Sequence, residues 1–230
     1  MSLSPRDLQI ESTEVATTLP ITFRHNPRVK PRALALFLHG YCDHSGSFLR
    51  RLYPNGFPES FHDVTVLAPN GPFPVPVKTD VGWLEAYAWY FYDDKEQKMI
   101  ISPESAVLAC QLLIEKFGYQ DLPKVIVAFS QGGYLAPYLA ARIKNVKEII
   151  AIGTGFREDY YPEGSGWRLT AIHGSDDSIF PVADARKAHA RILAKGFEGA
   201  FFEIPKLAHV ASEDVGAIVE TRLNTFLQTY

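Results

Sequence analysis

The chain reads as an α/β protein with a mostly parallel central sheet flanked by helices, and three observations predict it. Several stretches are continuous apolar runs with no polar alternation, which marks strands buried on both faces. Segments with apolar residues at helical spacing fall between those runs. Each run stops at Gly, Pro or a polar cluster. Strands alternating with helices imply right-handed βαβ crossovers and one layered core. A length of 230 residues with 47% apolar content suffices for a single domain spanning residues 1–230.

The elements follow in order. Residues 13–25, "TEVATTLPITFRH", are rich in Thr, Val and Ile and read as early strands, with Pro20 marking an edge or turn. The first buried strand is "RALALFLHG" (32–40), and "DVTVLAPNGP" (63–72) repeats its plan. "KVIVAFSQGG" (124–133), "EIIAIGTG" (148–155), "RLTAIHG" (168–174) and "AFFEIP" (200–205) complete the strands. Between them, "SPESAVLACQLLIEKFG" (102–118) has Ser102 as N-cap, Pro103 in the first turn and Gly118 as stop. Residues 134–144, "YLAPYLAARIK", form a helix that Pro137 disturbs by removing a backbone hydrogen bond. Helices over 182–196 and 213–228 follow.

Composition excludes several function classes. The net charge is −3 with no block of Lys or Arg, so neither nucleic acid nor a membrane is expected as a partner. No apolar run reaches the ~20 residues that span a bilayer. Cys42 and Cys110 are too few for a disulfide scaffold and lack metal-ligand spacing. Two reduced thiols fit a cytoplasmic protein.

In open sheets of this kind, sites form beyond the carboxyl ends of the strands. Three loops there carry chemistry. Ser130 follows the strand at 124–129; Asp176 and Asp177 lie in "HGSDDSIFP" (173–181); His209 lies in "KLAHVASED" (206–214). A serine hydroxyl becomes a useful nucleophile when a histidine takes its proton and a carboxylate orients that histidine. To point the hydroxyl outward, the strand must turn sharply into a helix, and residues two before and two after the serine must be small. Ala128 and Gly132 are those residues, with Gly133 adding clearance. The bland alternative for Ser130 is a helix N-cap. Neighbouring side chains diverge at a strand end, so one of the two aspartates serves as the acid, and both remain candidates on spacing alone.

Of the seven histidines, only His209 follows the last strand and precedes the last helix. His25 and His62 sit in polar surface contexts, His189 reads as a solvated helix residue, and His173 as a satisfied polar group under its loop. A developing oxyanion needs preorganised N–H donors. The backbone amide of Gln131, directly after the serine, is one candidate; that of Tyr41, after Gly40, is the other. In these roles the side chains of Tyr41 and Gln131 matter little.

With these residues in view, the chain resembles the phospholipase/carboxylesterase family of α/β-hydrolases, which contains acyl-protein thioesterases and small carboxylesterases. The matching stretches are "LFLHGYCDHSGSF", "VLAPNGP", "VAFSQGG", "HGSDDSIFP" and "LAHVASED", collinear from about residue 33 to the C-terminus. The resemblance implies an α/β-hydrolase fold without a large cap domain. It implies a triad of Ser130, Asp177 and His209, oxyanion amides at Tyr41 and Gln131, and ester or thioester hydrolysis with no metal or organic cofactor. The spacing of Asp177 from His173 is what selects it over Asp176. Two departures stand out: Ala128 where relatives often have Gly, and Ala208 where a Gly usually precedes the histidine.

The segment from Gly71 to Ile101 is long for a connection and holds Trp83, Tyr87, Trp89, Tyr90, Phe91 and Tyr92. Trp89 and Trp83, together with Phe156 after a later strand, are expected to bind the substrate. With no lid insertion the site should be open and suited to a small-molecule ester, with a homodimer left open as the assembly.

Overall fold

The computed structural model describes residues 22–230 apart from 29, 94, 97 and 165. Strands β1 (Phe23–Asn26) and β2 (Ala33–Leu38) precede helix α1 (Ser45–Leu52) and strand β3 (Val64–Pro69). Six short strands follow: β4 (Phe73–Pro74), β5 (Val77–Thr79), β6 (Gly82–Leu84), β7 (Tyr87–Ala88), β8 (Phe91–Asp93) and β9 (Lys98–Ile101). Helices and strands then alternate except between β11 and β12, which a short 3₁₀ turn (Glu158–Tyr160) connects: α2 (Glu104–Lys116), β10 (Lys124–Phe129), α3 (Gln131–Ala140), β11 (Val146–Ile152), β12 (Arg168–Gly174), α4 (Val182–Leu193), β13 (Glu198–Ile204) and α5 (Glu213–Thr229).

Among the described residues, seven strands form one sheet in the order β1-β3-β2-β10-β11-β12-β13. β1 is antiparallel to β3, and the other neighbours are parallel. The chain winds outward from β2 to β3, then crosses to the other side at β10. That reversal places the crevice of the sheet between the ends of β2 and β10. Every residue of β2, β3 and β10 is buried, which is why these strands show no alternation in sequence.

The pleat nevertheless sorts their side chains. Val125, Val127 and Phe129 of β10 pack with α1 and α5, while Ile126 and Ala128 pack with α2 and α3. Each face has its own hydrophobic core, so the sheet is the middle layer of three.

The early strands expected over 13–25 are represented by β1; residues 13–21 lie outside the described residues. The N-cap of α2 is Pro103, one residue after the Ser102 expected, because Pro103 already has helical backbone angles; Ser102 Oγ still accepts from the amide of Glu104 at 3.1 Å. α3 keeps Pro137 in its interior but ends at Ala140, short of residue 144. α1 had no signal in the sequence: "SGSFLRRL" begins like a loop, and its N-cap is His44, whose Nδ1 accepts from Ser47 N. The segment 71–101 is three two-stranded ladders, not one irregular loop.

Candidate active site

Ser130 sits between β10 and α3 with φ 51° and ψ −114°, a region that non-glycine residues avoid. Such strain costs of order 1–3 kcal/mol and persists only where surrounding contacts enforce it. Here they do. Ser130 N donates to Ile152 O at 2.9 Å, and Ser130 O accepts from Gly133 N at 2.9 Å and from Thr154 Oγ1 at 3.0 Å. A Cβ on Gly132 would lie 2.5 Å from Leu38 O, and one on Gly133 would lie 2.6 Å from Thr154 Cγ2. Both glycines are therefore required by space. Ala128 is fully buried on the face that packs with α3.

Three loops converge on this hydroxyl. His209 Nε2 lies 3.0 Å from Ser130 Oγ, and His209 Nδ1 lies 2.9 Å from Asp177 Oδ2. A carboxylate accepts hydrogen bonds, so Nδ1 carries the proton and Nε2 is left to accept from the serine. Asp177 Oδ1 takes the backbone N–H groups of Ile179 (2.9 Å) and Phe180 (2.8 Å). Asp177 is buried, while Asp176 is exposed and accepts from Ser175 Oγ. The rings of Phe129 and Phe180 flank the His209 imidazole at 5.0 and 5.6 Å.

The left-handed turn before His209 is made at Lys206 (φ 59°), so Ala208 needs no glycine freedom. On the opposite side, Gly153 (φ 49°) brings bare backbone against the pair. A Cβ there would lie 3.4 Å from Asp177 Oδ2 and 3.5 Å from His209 Nδ1.

Gln131 opens α3, so its backbone N–H is one of the donors left free at a helix N-terminus. Tyr41 lies in the turn after β2, across the crevice. Both line the same cleft as Ser130, a space of about 820 Å³. Its walls are aromatic: Tyr90, Phe91, Tyr92, Tyr134, Tyr160 and Phe180. A second depression, about 510 Å³, lies by Arg24, Asp43, His44 and Glu85 and holds none of Ser130, Asp177 or His209.

The residues expected to bind substrate are placed elsewhere. Trp89 is fully buried, its indole Nε1 donating to His39 O at 2.7 Å. Trp83 stands on the β5–β6 hairpin, 70% exposed, and does not line the cleft. Phe156 packs against Tyr161 and His189, also outside the cleft lining. Trp89 fills the core, and its neighbours Tyr90 and Phe91 line the crevice in its place.

Other expectations are revised. The Gln131 side chain does matter: its Oε1 accepts from Trp89 N and its Nε2 donates to Tyr90 O, both at 2.9 Å. His189 is buried, not solvated, with Nε2 donating to Leu169 O at 3.0 Å. His25 joins Tyr119 Oη at 2.9 Å in a half-buried contact. His173 is the satisfied polar group expected, donating from Nε2 to Phe180 O at 2.6 Å, and it also lies 3.4 Å from Asp177 Oδ2.

His39 is buried, and burial pushes its pKa down from 6.5 to about 4. Its hydrogen bonds agree with a neutral ring: Nδ1 donates to Gly40 O at 2.7 Å, and Nε2 accepts from Gly71 N at 3.0 Å.

Both cysteines are free. Among the described residues, no cluster of three or more His, Cys, Asp or Glu is placed to hold a metal ion. Among them too, no helix is long and apolar enough to cross a membrane.

Comparison with known proteins identifies the family and the fold. The family described as Serine hydrolase (FSH1) matches residues 30–195, more than half of the chain. Acyl-protein thioesterase 1 homolog 2 of Dictyostelium discoideum is 24% identical over 196 residues, covering 79% of this chain and 86% of that protein. Among solved structures, esterase PE8 superposes with a TM-score of 0.66 at 22% identity, covering 89% of this chain and 98% of its own. Zea mays acyl-protein thioesterase 2 does so with a TM-score of 0.67 at 16% identity, with the same coverage of 89% and 98%. These structural likenesses establish the α/β-hydrolase fold.

Proposed function

Since the chain belongs to the Serine hydrolase (FSH1) family, we propose that it hydrolyses carboxylic esters of small or medium acyl chain through an acyl-enzyme at Ser130. The observation that carries the reading is the unbroken relay Asp177–His209–Ser130, at 2.9 and 3.0 Å, ending on a strained serine that faces an aromatic cleft.

In this reading His209 Nε2 takes the hydroxyl proton as Ser130 Oγ bonds to the ester carbonyl carbon. The negative charge that develops on the carbonyl oxygen is met by the N–H groups of Tyr41 and Gln131. The bond from carbonyl carbon to alkoxy oxygen then breaks, and the proton on His209 passes to the departing alcohol. Water repeats the sequence on the acyl-serine and releases the acid. Asp177 stays ionised throughout and stabilises the imidazolium.

The partner is a small soluble ester, not a nucleic acid or a membrane, and the protein acts in the cytoplasm. Its two free cysteines support that location.

The test is hydrolysis of p-nitrophenyl butyrate together with labelling by a fluorophosphonate. Both should occur in the wild type and vanish in Ser130→Ala. A folded wild type that is neither active nor labelled sinks the reading. The second reading is a thioesterase or lysophospholipase acting on acylated proteins, acyl-CoA or lysolipids, and the acyl-protein thioesterase relative favours it. Acyl-CoA, lysolipids or acylated peptides turned over faster than any p-nitrophenyl ester would establish it.

A further inference from the structure

The fully buried Trp89 has an unusual set of partners. Its backbone N–H donates to Gln131 Oε1, and Gln131 Nε2 returns a bond to Tyr90 O. Its indole N–H donates to His39 O, the carbonyl of the His39–Gly40 peptide and one peptide short of the Tyr41 amide. The His39 ring lies against the indole at 4.7 Å, with its nitrogens tied to Gly40 O and Gly71 N. Gly71 in turn has no room for a Cβ, which would meet Ala88 O at 2.2 Å. One tryptophan therefore joins the ends of β2 and β10, the two strands that border the crevice, and His39 links the same cluster to Gly71 beyond β3.

We propose that Trp89 is a positioning residue that sets the distance and direction between the backbone amides of Tyr41 and Gln131. The proposal rests on the assignment of those two amides as oxyanion donors. The amides lie on opposite sides of the crevice, on separate strand ends. Within hydrogen-bond reach of both loops, Trp89 contributes one donor to each: its indole N–H to the peptide before Gly40, and its main-chain N–H to the side chain of Gln131. The Gly132 backbone at the start of α3 also comes close to His39 O, since a Cβ built there would lie 2.7 Å from it. His39 and Trp89 are both fully buried, so losing the indole donor leaves that carbonyl without a partner at a desolvated position and favours a shift of its peptide plane. Rotation of the His39–Gly40 peptide swings the next amide, that of Tyr41. An oxyanion donor acts only within a narrow distance of the developing charge.

The experiment compares wild type with Trp89→Phe, which keeps an aromatic ring and removes the indole N–H. kcat and KM for p-nitrophenyl butyrate are measured per active site titrated with a fluorophosphonate, alongside the Ki of a trifluoromethyl ketone, which forms a tetrahedral adduct. Misplacing a catalytic group by about 1 Å costs up to ~100-fold. The expected result is a fall in kcat of about 10- to 100-fold, an equal rise in ketone Ki, and a KM within about two-fold of wild type. A residue that merely fills the core would lower the number of titrated sites and leave kcat per site and Ki unchanged. Gln131→Met cuts the other end of the link without touching the buried indole, and should show the same split.

If Trp89→Phe does not fold, Gln131→Met decides. Wild-type kcat and Ki in that variant, or a loss expressed only in KM, overturns the proposal. A wild type that neither turns over the ester nor binds the ketone is a different outcome and refutes the proposed function itself.

Discussion

Asp177 reaches His209 with a single carboxylate oxygen: Oδ2 meets Nδ1 at 2.9 Å, while Oδ1 is held by the N–H groups of Ile179 and Phe180. The carboxylate cannot rotate away, so its charge and its direction both act on the imidazole. Asp177→Asn replaces an acceptor by a possible donor, and the His209 tautomer reverses. kcat should fall about 10³- to 10⁴-fold with KM little changed. Asp176→Asn, altering an exposed acid, should stay within about two-fold of wild type. Steady-state kinetics on one ester decides both, and equal losses would mean the acid has been misassigned.

Gly132 sets a second expectation, in which two effects oppose each other. Alanine is favoured over glycine in a helix by about 1 kcal/mol. The added methyl would lie 2.5 Å from Leu38 O and 2.7 Å from His39 O, both backbone atoms that do not yield. Overpacking of this kind costs about 1–3 kcal/mol, so the net change is destabilising. Urea denaturation of Gly132→Ala should show a lower midpoint, with kcat reduced because the strained turn at Ser130 shifts. A variant as stable and as active as wild type would contradict the space argument.

Stability should fall in mild acid because of His39. Its folded pKa, about 4, lies below the ordinary 6.5, so the unfolded chain binds the proton first. The contribution is complete above pH 6.5 and is lost as pH falls toward 4. Between pH 7 and pH 5 the loss from this group is about 2 kcal/mol. The buried His189, also lowered by burial, adds in the same direction. In His39→Gln the pH-dependent loss should shrink by that amount. An unchanged difference between urea curves at the two pH values would exclude His39 as the source.

Acyl preference should depend on Phe91, not on Trp83. Phe91 lines the cleft and meets the rings of Tyr41 (6.3 Å) and Phe73 (5.9 Å). Phe91→Ala should raise KM for p-nitrophenyl octanoate about 5- to 10-fold, the effect of roughly 1–1.5 kcal/mol of lost apolar contact, and leave the acetate nearly unaffected. Trp83→Ala should leave both esters within about two-fold of wild type. The ratio of the two KM values in each variant is the measurement.

Elements buried on both faces were readable because burial leaves a local mark. β2, β10, β11 and β12 appear as apolar runs, and Ser130, Asp177 and His209 stand just beyond strand ends, where a parallel sheet collects its loops. α1 escaped notice because its cap is a histidine and its first turn holds Ser and Gly. His189 was misjudged because helical spacing does not say which face of α4 packs on the sheet. Gly153 could have been found, since a Gly directly follows the apolar run of β11 and precedes Thr154.

Local chemistry along the chain was enough to specify the layered α/β architecture, the strained serine between two small residues, and the loops that supply an acid and a base. Which aromatic ring faces the cleft depended on packing between segments distant in sequence. Trp89 and Phe91 are two residues apart and equally apolar, yet one is fully buried over His39 and the other borders the crevice. The bonds of Gln131 to residues 89 and 90 are of the same kind. Such choices are made where β2, β3 and β10 end side by side, because there the space left by one strand end determines what its neighbours can bury.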